Sequence, residues 1–230
     1  MAVRQPVHTE IRPFFEVYEA PYFVARSFYA AAGKRAFDVV ASFMLLVVLS
    51  PLIAALVVAV AFTSGLPVFY GGTRIGKDGR PFRMWKLRTM VPNAEAVMEQ
   101  WRREGSTEGI TYFKSFKLRK DPRVTRLGRF LRKTSLDELP QLWNVLRGDM
   151  SLVGPRPIVE GELHKYGEDA EAFLSVRPGI TGLWQVSGRN AIDYPERAFV
   201  ELDYVRRLSL RRDASVLLKT VPVLLKRNGV

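Results

Sequence analysis

One long apolar run constrains the fold of this chain more than any other feature. Between Ala36 and Phe62 the only charged residue is Asp38, near the start of the run. The 24 residues from Val39 to Phe62 would cross a hydrocarbon core of about 30 Å as a single helix. The simplest interpretation of the run is therefore one transmembrane helix.

Two features favour a different topology, in which the run enters the bilayer and returns to the same side. Ser50-Pro51 divides it into segments of 12 and 11 residues, each only about 16 to 18 Å long as a helix. Basic residues, which mark the cytoplasmic side, flank both ends: Arg26, Lys34, Arg35, Arg74, Lys77, Arg80, Arg83, Lys86 and Arg88. We therefore favour a re-entrant helix-break-helix, with a Pro-kinked spanning helix as the open alternative.

The composition excludes several kinds of chemistry. The chain has no Cys and two His, which excludes disulfides, thiolate zinc sites and Cys nucleophiles and disfavours a His-rich metal site. The net charge is +12, and residues 71–156 contain 19 Lys or Arg against 9 Asp or Glu. Such a region is typical of nucleic-acid binding or of a solvated basic surface. The preceding apolar run argues against a nucleic-acid partner.

The remaining pattern predicts a mainly α-helical fold with a small β-hairpin. The predicted helices are Asn93–Glu104, Val124–Lys133 and Val216–Arg227. The predicted strands are Pro67–Tyr70 and Phe82–Leu87, joined by a turn at Gly76–Gly79. The last helix suits either the membrane interface or docking on the protein core.

Two adjacent carboxylates, Asp137 and Glu138, follow a basic segment that ends in Arg132-Lys133. Near a helix N-terminus and beside these cations, Asp137 is expected to stay ionised. An ionised Asp can attack phosphorus to form an aspartyl phosphate, a reaction that usually also needs Mg²⁺. The structural alternative is that Ser135 and Glu138 form a capping box that starts a helix. The pattern alone leaves both interpretations open.

Six motifs occur in a fixed order from about Lys34 to the C-terminus. They are Lys-Arg-Ala-Phe-Asp (34–38), Ser50-Pro51, Lys-Leu-Arg-Thr-Met (86–90), Ser-Leu-Asp-Glu-Leu-Pro-Gln-Leu (135–142), Gly-Asp-Met-Ser-Leu-Val-Gly-Pro-Arg-Pro (148–157) and Arg-Pro-Gly-Ile-Thr-Gly-Leu-Trp-Gln-Val-Ser-Gly-Arg (177–189). With these motifs the chain resembles the bacterial sugar transferase family, the monotopic polyprenol-phosphate phosphoglycosyl transferases. It is similar to the short members that initiate exopolysaccharide repeat units.

The resemblance implies a reaction and a location. A UDP-sugar, with UDP-galactose or UDP-glucose expected, would give its sugar-1-phosphate to undecaprenyl phosphate through a covalent phosphosugar intermediate and release UMP. The enzyme would sit in the bacterial inner membrane, with its catalytic domain on the cytoplasmic face. A homo-oligomer is compatible with the resemblance, and a catalytically idle membrane scaffold for polysaccharide assembly is the alternative function.

The resemblance also implies roles for individual residues. Asp137 matches the nucleophile and Glu138 its partner, with a Mg²⁺-binding or acid/base role, so that both carboxylates are candidate metal ligands. The candidate substrate- or phosphate-binding residues are Lys86, Arg88, Asp121, Arg123, Arg132 and a nucleotide-contacting loop of Pro155, Arg156 and Pro157. The candidate membrane-anchoring residues are Lys34 and Arg35 at the headgroups and Ser50 and Pro51 at the turn.

The expected organisation has three parts, and a few positions depart from the family pattern. Residues 1–33 form an extension, residues 34–66 the re-entrant helix, and residues 67–230 a cytoplasmic catalytic domain with interfacial amphipathic helices. Gly72 stands where Gln is common, Leu87 where Phe is common, and Glu201 where many members carry Asp; Arg206-Arg207-Leu208 replaces a more acidic and aromatic stretch. These departures affect only the expected sugar or acceptor contacts.

Overall fold

The computed structural model describes residues 28–105, 121–188 and 191–225. The fold is mainly helical, as predicted. The helices are α1 (Lys34–Ser64), α2 (Ala94–Glu104), α3 (Arg126–Thr134), α4 (Gln141–Arg147), α5 (Ala170–Leu174), α6 (Leu183–Ser187), α7 (Glu196–Arg206) and α8 (Leu210–Leu225). The strands are β1 (Phe69–Ile75), β2 (Pro81–Leu87), β3 (Ser151–Val153) and β4 (Gly179–Thr181). Short 3₁₀ segments lie at Lys77–Gly79, Leu136–Glu138 and Glu160–Asp169, and a π-helical turn at Tyr29–Gly33 leads into α1.

The apolar run forms one continuous helix, so the break predicted at Ser50-Pro51 is wrong. Helix α1 has 31 residues, with Pro51 inside it. A Pro at this position cannot donate to the carbonyl four residues earlier, that of Val47. The Ser50 hydroxyl donates to that carbonyl instead, at 2.8 Å. The side chain before the Pro thus satisfies the group that the Pro leaves without a partner, and the helix continues.

One face of α1 packs on the rest of the protein along the whole length of the helix. Buried residues on this face recur at helical spacing: Lys34, Asp38, Ser42, Leu56, Val60 and Ser64. Between them Leu46 and Leu49 pack against the main core cluster. Both halves of the helix therefore contact the same globular domain.

The opposite face of α1 is apolar and exposed. Its exposed large side chains are Val40, Phe43, Met44, Leu45, Val47, Val48, Leu52, Val58 and Phe62. The helical segment Tyr29–Ser64 is long and apolar enough to cross a membrane, yet only 11% of its most apolar window is buried by protein. A core helix of a water-soluble protein would be mostly covered, so this face is suited to contact with lipid.

Polar contacts fix the start of α1 to the globular domain. The Lys34 ammonium pairs with the buried carboxylate of Asp213 at 2.5 Å. Asp38 Oδ1 accepts a hydrogen bond from the backbone N–H of Leu152 at 3.0 Å, and Arg35 donates to the carbonyls of Val145 and Leu146 at 2.6 and 2.8 Å. Lys34 and Arg35 were expected at the lipid headgroups, but their contacts here are within the protein.

The predicted hairpin is present, with a longer first strand than expected. Strands β1 and β2 pair antiparallel over seven residues each, with Tyr70 opposite Lys86 and Ile75 opposite Pro81. The second sheet, the short parallel pair β3 and β4, was not predicted, because three-residue strands carry no detectable alternation. The main core cluster joins β2 to the helices through buried residues such as Met84, Val145, Tyr204 and Val216.

All three predicted helices are present, and each begins at a different residue from the predicted one. The last two residues predicted for the third helix, 226 and 227, lie outside the described residues. Helix α3 begins after Thr125, whose hydroxyl accepts a hydrogen bond from Gly128 N at 2.9 Å. Helix α8 begins before its predicted start. It is docked on the protein through the buried Asp213 and Val216, and Leu218, Val221 and Leu225 lie exposed on its other side. The two interpretations of this helix are therefore compatible, because one face is docked while an apolar face stays open.

Candidate active site

The local fold brings Asp137 and Glu138 to a short turn between two helices. Helix α3 ends at Thr134, and the next residue, Ser135, has a φ of 58° in the left-handed region. A single 3₁₀ turn, Leu136–Glu138, follows, and then α4 begins after Pro140. Leu136 packs against the cluster of Leu131 and Leu87, which holds the apolar side of the turn on the core. The Ser135 side chain makes no capping hydrogen bond, so the capping-box interpretation is wrong.

The two carboxylates have different surroundings. Asp137 is buried, with 7% of its surface exposed. Glu138 is partly exposed, and its Oε1 accepts a hydrogen bond from Lys86 Nζ of β2 at 2.6 Å. This contact joins the hairpin to the turn and fixes the side chain of Glu138 beside Asp137.

The electrostatic balance at Asp137 differs from the sequence-based expectation. Burial raises the pKa of this carboxyl above its usual value, and the negative charge of Glu138 adds to the increase. Lys86 and Arg132 act in the opposite direction without cancelling it. Asp137 was expected to be stabilised as an anion by its cationic neighbours. Desolvation outweighs them, because the turn packs Asp137 against the core.

Arg132 lies in the last turn of α3, next to the carboxylates. Its Nε donates to the hydroxyl of Thr89, two residues after the end of β2, at 2.9 Å, and this bond orients the guanidinium. The structure therefore brings four of the expected site residues together: Asp137, Glu138, Lys86 and Arg132.

Three other expected site residues make structural contacts instead. The buried guanidinium of Arg88 donates to the carbonyls of Ser64 and Gly65 at the C-terminus of α1. Asp121 and Arg123 form a buried ion pair at 2.7 Å. Burial alone would raise the pKa of Asp121, but the hydrogen bonds and charge of Arg123 outweigh it and hold this pKa below its usual value. In these positions the three side chains support the fold around the site.

The Pro155–Pro157 loop lies beside the far end of the hairpin. The backbone N–H of Ile75 donates to the carbonyl of Ile158 at 2.9 Å, and the two residues form an antiparallel bridge. The backbone N–H of Arg156 donates to the buried carboxylate of Glu201 at 3.0 Å. The Arg156 guanidinium lies 5.6 Å from the centroid of the Trp184 ring. In the sequence, Glu201 was noted only as a departure from the family pattern. Its contact with this loop was not predicted, because Glu201 and Arg156 are 45 residues apart along the chain.

The residues at this turn that could hold Mg²⁺ are Asp137 and Glu138. Among the described residues no group of three or more His, Cys, Asp or Glu side chains could hold a metal ion. Mg²⁺ is usually bound through one or two carboxylates together with water and substrate phosphates. Two adjacent carboxylates could supply the protein's share of such a donor set.

Comparison with known proteins identifies the family. The sequence pattern of the bacterial sugar transferases matches residues 29–227, and the chain belongs to this family. It is 47% identical over 196 residues to the UDP-galactose-lipid carrier transferase of Erwinia amylovora, a match that covers 85% of this chain and 41% of that protein. It is 48% identical over 196 residues to the undecaprenyl-phosphate galactose phosphotransferase of Salmonella typhimurium, again covering 85% and 41%.

A shorter relative is covered over most of its length. The chain is 45% identical over 197 residues to the exopolysaccharide production protein ExoY of Rhizobium meliloti, covering 86% of this chain and 87% of that protein. By contrast, the chain spans about two fifths of the length of the two galactose transferases. The matched region therefore covers most of the shorter relative, ExoY, and only part of each of the two longer relatives.

Proposed function

We propose that this protein transfers sugar-1-phosphate from a UDP-sugar to undecaprenyl phosphate, with Asp137 as the nucleophile. The observation that carries the proposal is the buried carboxylate of Asp137, which is adjacent to Glu138 and close enough to Lys86 and Arg132 for their charges to act on it. A desolvated carboxylate among cations is suited to attack the diphosphate of a UDP-sugar, because the cations neutralise the phosphate charge that would otherwise repel it.

In the first step a carboxylate oxygen of Asp137 bonds to the β-phosphorus of the UDP-sugar. The bond from that phosphorus to the bridging oxygen breaks, and UMP leaves with this oxygen and its electron pair. In the second step a phosphate oxygen of undecaprenyl phosphate bonds to the same phosphorus, and the Asp137–phosphorus bond breaks. This sequence restores the carboxylate and means that the nucleotide and the lipid need not be bound together.

The neighbouring side chains have distinct roles in this scheme. Arg132, oriented by Thr89, contacts the non-bridging phosphate oxygens. Lys86 holds Glu138 in place and adds positive charge beside Asp137. Mg²⁺ bound by Asp137 and Glu138 would supply further neutralisation of the phosphate charge.

We further propose that α1 lies in the cytoplasmic leaflet and does not cross the bilayer. The start of the helix is fixed to the domain through Lys34 and Asp38, and its end through the contact between Ser64 and Arg88. A perpendicular helix of about 46 Å with its domain attached at both ends would draw polar protein surface into the hydrocarbon core, which is costly. A helix that lies in one leaflet exposes its apolar face to lipid and keeps the active site at the membrane surface.

UMP release tests the proposal. The protein in nanodiscs is given undecaprenyl phosphate, Mg²⁺ and a panel of UDP-sugars, and UMP is measured together with the intact mass of the protein. We expect turnover with UDP-galactose or UDP-glucose, of which galactose occurs in the names of two of the relatives. We also expect a mass increase of one hexose phosphate when the lipid is omitted. Asp137→Asn should reduce UMP release at least about a thousandfold.

The matched control is Asp78→Asn, the same chemical change in the exposed turn of the hairpin at a φ of 56°, a conformation that Asn tolerates. It should release UMP at the wild-type rate. UMP release by Asp137→Asn would refute the assignment of the nucleophile. A folded wild-type protein that releases no UMP from any donor would instead support the scaffold alternative.

A further inference from the structure

One face of the hairpin connects the carboxylate turn with the Pro155–Pro157 loop. Tyr70 lies directly opposite Lys86 in the antiparallel register, and opposite residues project from the same face of a sheet. Because side chains alternate along a strand, Arg74 shares this face with Tyr70. The face that presents Lys86 to Glu138 therefore also carries Arg74.

The side chain of Arg74 folds back along this face toward the carboxylates. A Cβ atom placed on Gly72 would lie 3.3 Å from Arg74 Nη1 and 3.5 Å from Tyr70 Cε1. The guanidinium thus occupies the space above Gly72. Gly72 lies two residues, about 7 Å, along β1 from Tyr70, the residue opposite Lys86. Gly72 is the position where the family pattern has Gln, and the missing side chain provides this space.

Arg74 also lies close to Arg156. The Ile75–Ile158 bridge places the two segments side by side, and among the described residues neither guanidinium forms an ion pair with a carboxylate. Burial lowers the pKa of Arg74, and Arg156 lowers it further, while Tyr70 and Glu162 act in the opposite direction. Arg74 Nη1 donates to the backbone carbonyl of Thr73 at 2.7 Å. A guanidinium has five N–H donors, so the two neighbouring groups retain donors for an anion.

We propose that Arg74 is a substrate-binding residue that, together with Arg156, binds the phosphate of the departing nucleoside monophosphate. This inference rests on the proposed function, which supplies UMP as the leaving group. Planar guanidinium groups bind phosphate oxygens in pairs. Lys86 and Arg132 then act on the phosphorus attached to Asp137, while Arg74 and Arg156 act on the nucleotide phosphate beside it. Neutralising the leaving group makes its departure easier.

Binding of UMP and of uridine to the full chain in nanodiscs, measured by calorimetry, tests this assignment. Arg74→Ala should raise the Kd for UMP about tenfold or more and leave the Kd for uridine unchanged, because only UMP carries the phosphate. Arg74→Lys should give an intermediate Kd, since it retains the charge but loses paired hydrogen bonds. The matched control is Arg80→Ala, which removes the same charge from an exposed position at the hairpin turn and should bind UMP like the wild type.

The outcomes separate this inference from the proposed function. If the wild type releases UMP from a donor while Arg74→Ala retains the wild-type Kd for UMP, the assignment of Arg74 is wrong and the proposed function stands. The assignment is also wrong if Arg74→Ala weakens uridine and UMP binding equally, since that result indicates a general disturbance of the loop. A wild type that neither binds nor releases UMP would overturn both.

Discussion

Replacing Arg88 by Ala separates two roles that the sequence alone could not distinguish. As a phosphate ligand, Arg88 would matter for turnover and little for stability. In the structure its buried guanidinium donates to the carbonyls of Ser64 and Gly65 at the end of α1. A hydrogen bond to a charged group contributes about 1.5 kcal/mol or more to stability. The two bonds together stabilise the fold by about 3 kcal/mol, and their loss leaves two carbonyls without this donor.

This loss should appear as a lower unfolding temperature. For a chain of this size, about 3 kcal/mol corresponds to a decrease of about 6 to 12 °C. The assay is intrinsic tryptophan fluorescence during heating of the protein in detergent micelles, at one scan rate throughout because unfolding of such proteins is often irreversible. The chain has four Trp, and the midpoint of Arg88→Ala is compared with that of the wild type.

The control is Arg83→Ala on the same strand, where the side chain is exposed and the change in charge is identical. Its unfolding temperature should stay close to that of the wild type, since exposed substitutions change stability by about 0.5 kcal/mol or less. If Arg88→Ala unfolds at the wild-type temperature but no longer releases UMP, the reasoning is refuted and Arg88 is a phosphate ligand. Retained stability with retained activity would equally refute it.

Three further predictions follow from particular contacts. Burial raises the pKa of Asp137 above the ordinary 3.8, so the folded state binds this proton more tightly than the unfolded state, and the ionised carboxylate destabilises the fold at higher pH. Asp137→Asn should therefore raise the unfolding temperature at pH 7, and the difference from the wild type should disappear below pH 3.8. An unchanged unfolding temperature at pH 7 would contradict this. Glu201→Gln leaves the buried charge of Arg197 without its partner at 3.6 Å and should lower the free energy of unfolding by about 3 kcal/mol, measured by denaturant titration; a change below 1 kcal/mol would count against the pairing. Ser50→Ala removes the donor to the Val47 carbonyl and should cost about 1 kcal/mol, whereas Thr at this position should retain most of the stability in the same titration.

Much of the architecture follows from local pattern. The apolar run, the hairpin and the amphipathic helices each depend on periodicity or turn residues within a short window, and all are present near their predicted positions. The meeting of Asp137 and Glu138 with Lys86 was expected from the family resemblance. Their spacing along the chain could not have shown it, since Lys86 and Glu138 are 52 residues apart.

The cations show where sequence reasoning ends. Lys86, Arg88 and Arg123 all lie in basic motifs and looked equally suited to phosphate. Lys86 bonds to Glu138 at the site, Arg88 holds the end of α1, and Arg123 pairs with Asp121 beneath the ring of Trp101. A guanidinium satisfies carbonyls, carboxylates and phosphates with the same donors, so its residue type does not reveal its partner.

The sequence by itself determined the class of the protein: a mainly helical fold with an apolar helix, a basic domain and an adjacent carboxylate pair in the motifs of bacterial sugar transferases. The tertiary structure alone decided that α1 continues through Pro51, that both its halves contact the domain, and that Arg74 lies next to the segment of the Pro155–Pro157 loop. Periodicity and motifs are local properties, so they can be identified directly from the order of the residues. Burial, the partners of a charged group and the space left by Gly72 depend on segments that meet only when the chain is packed.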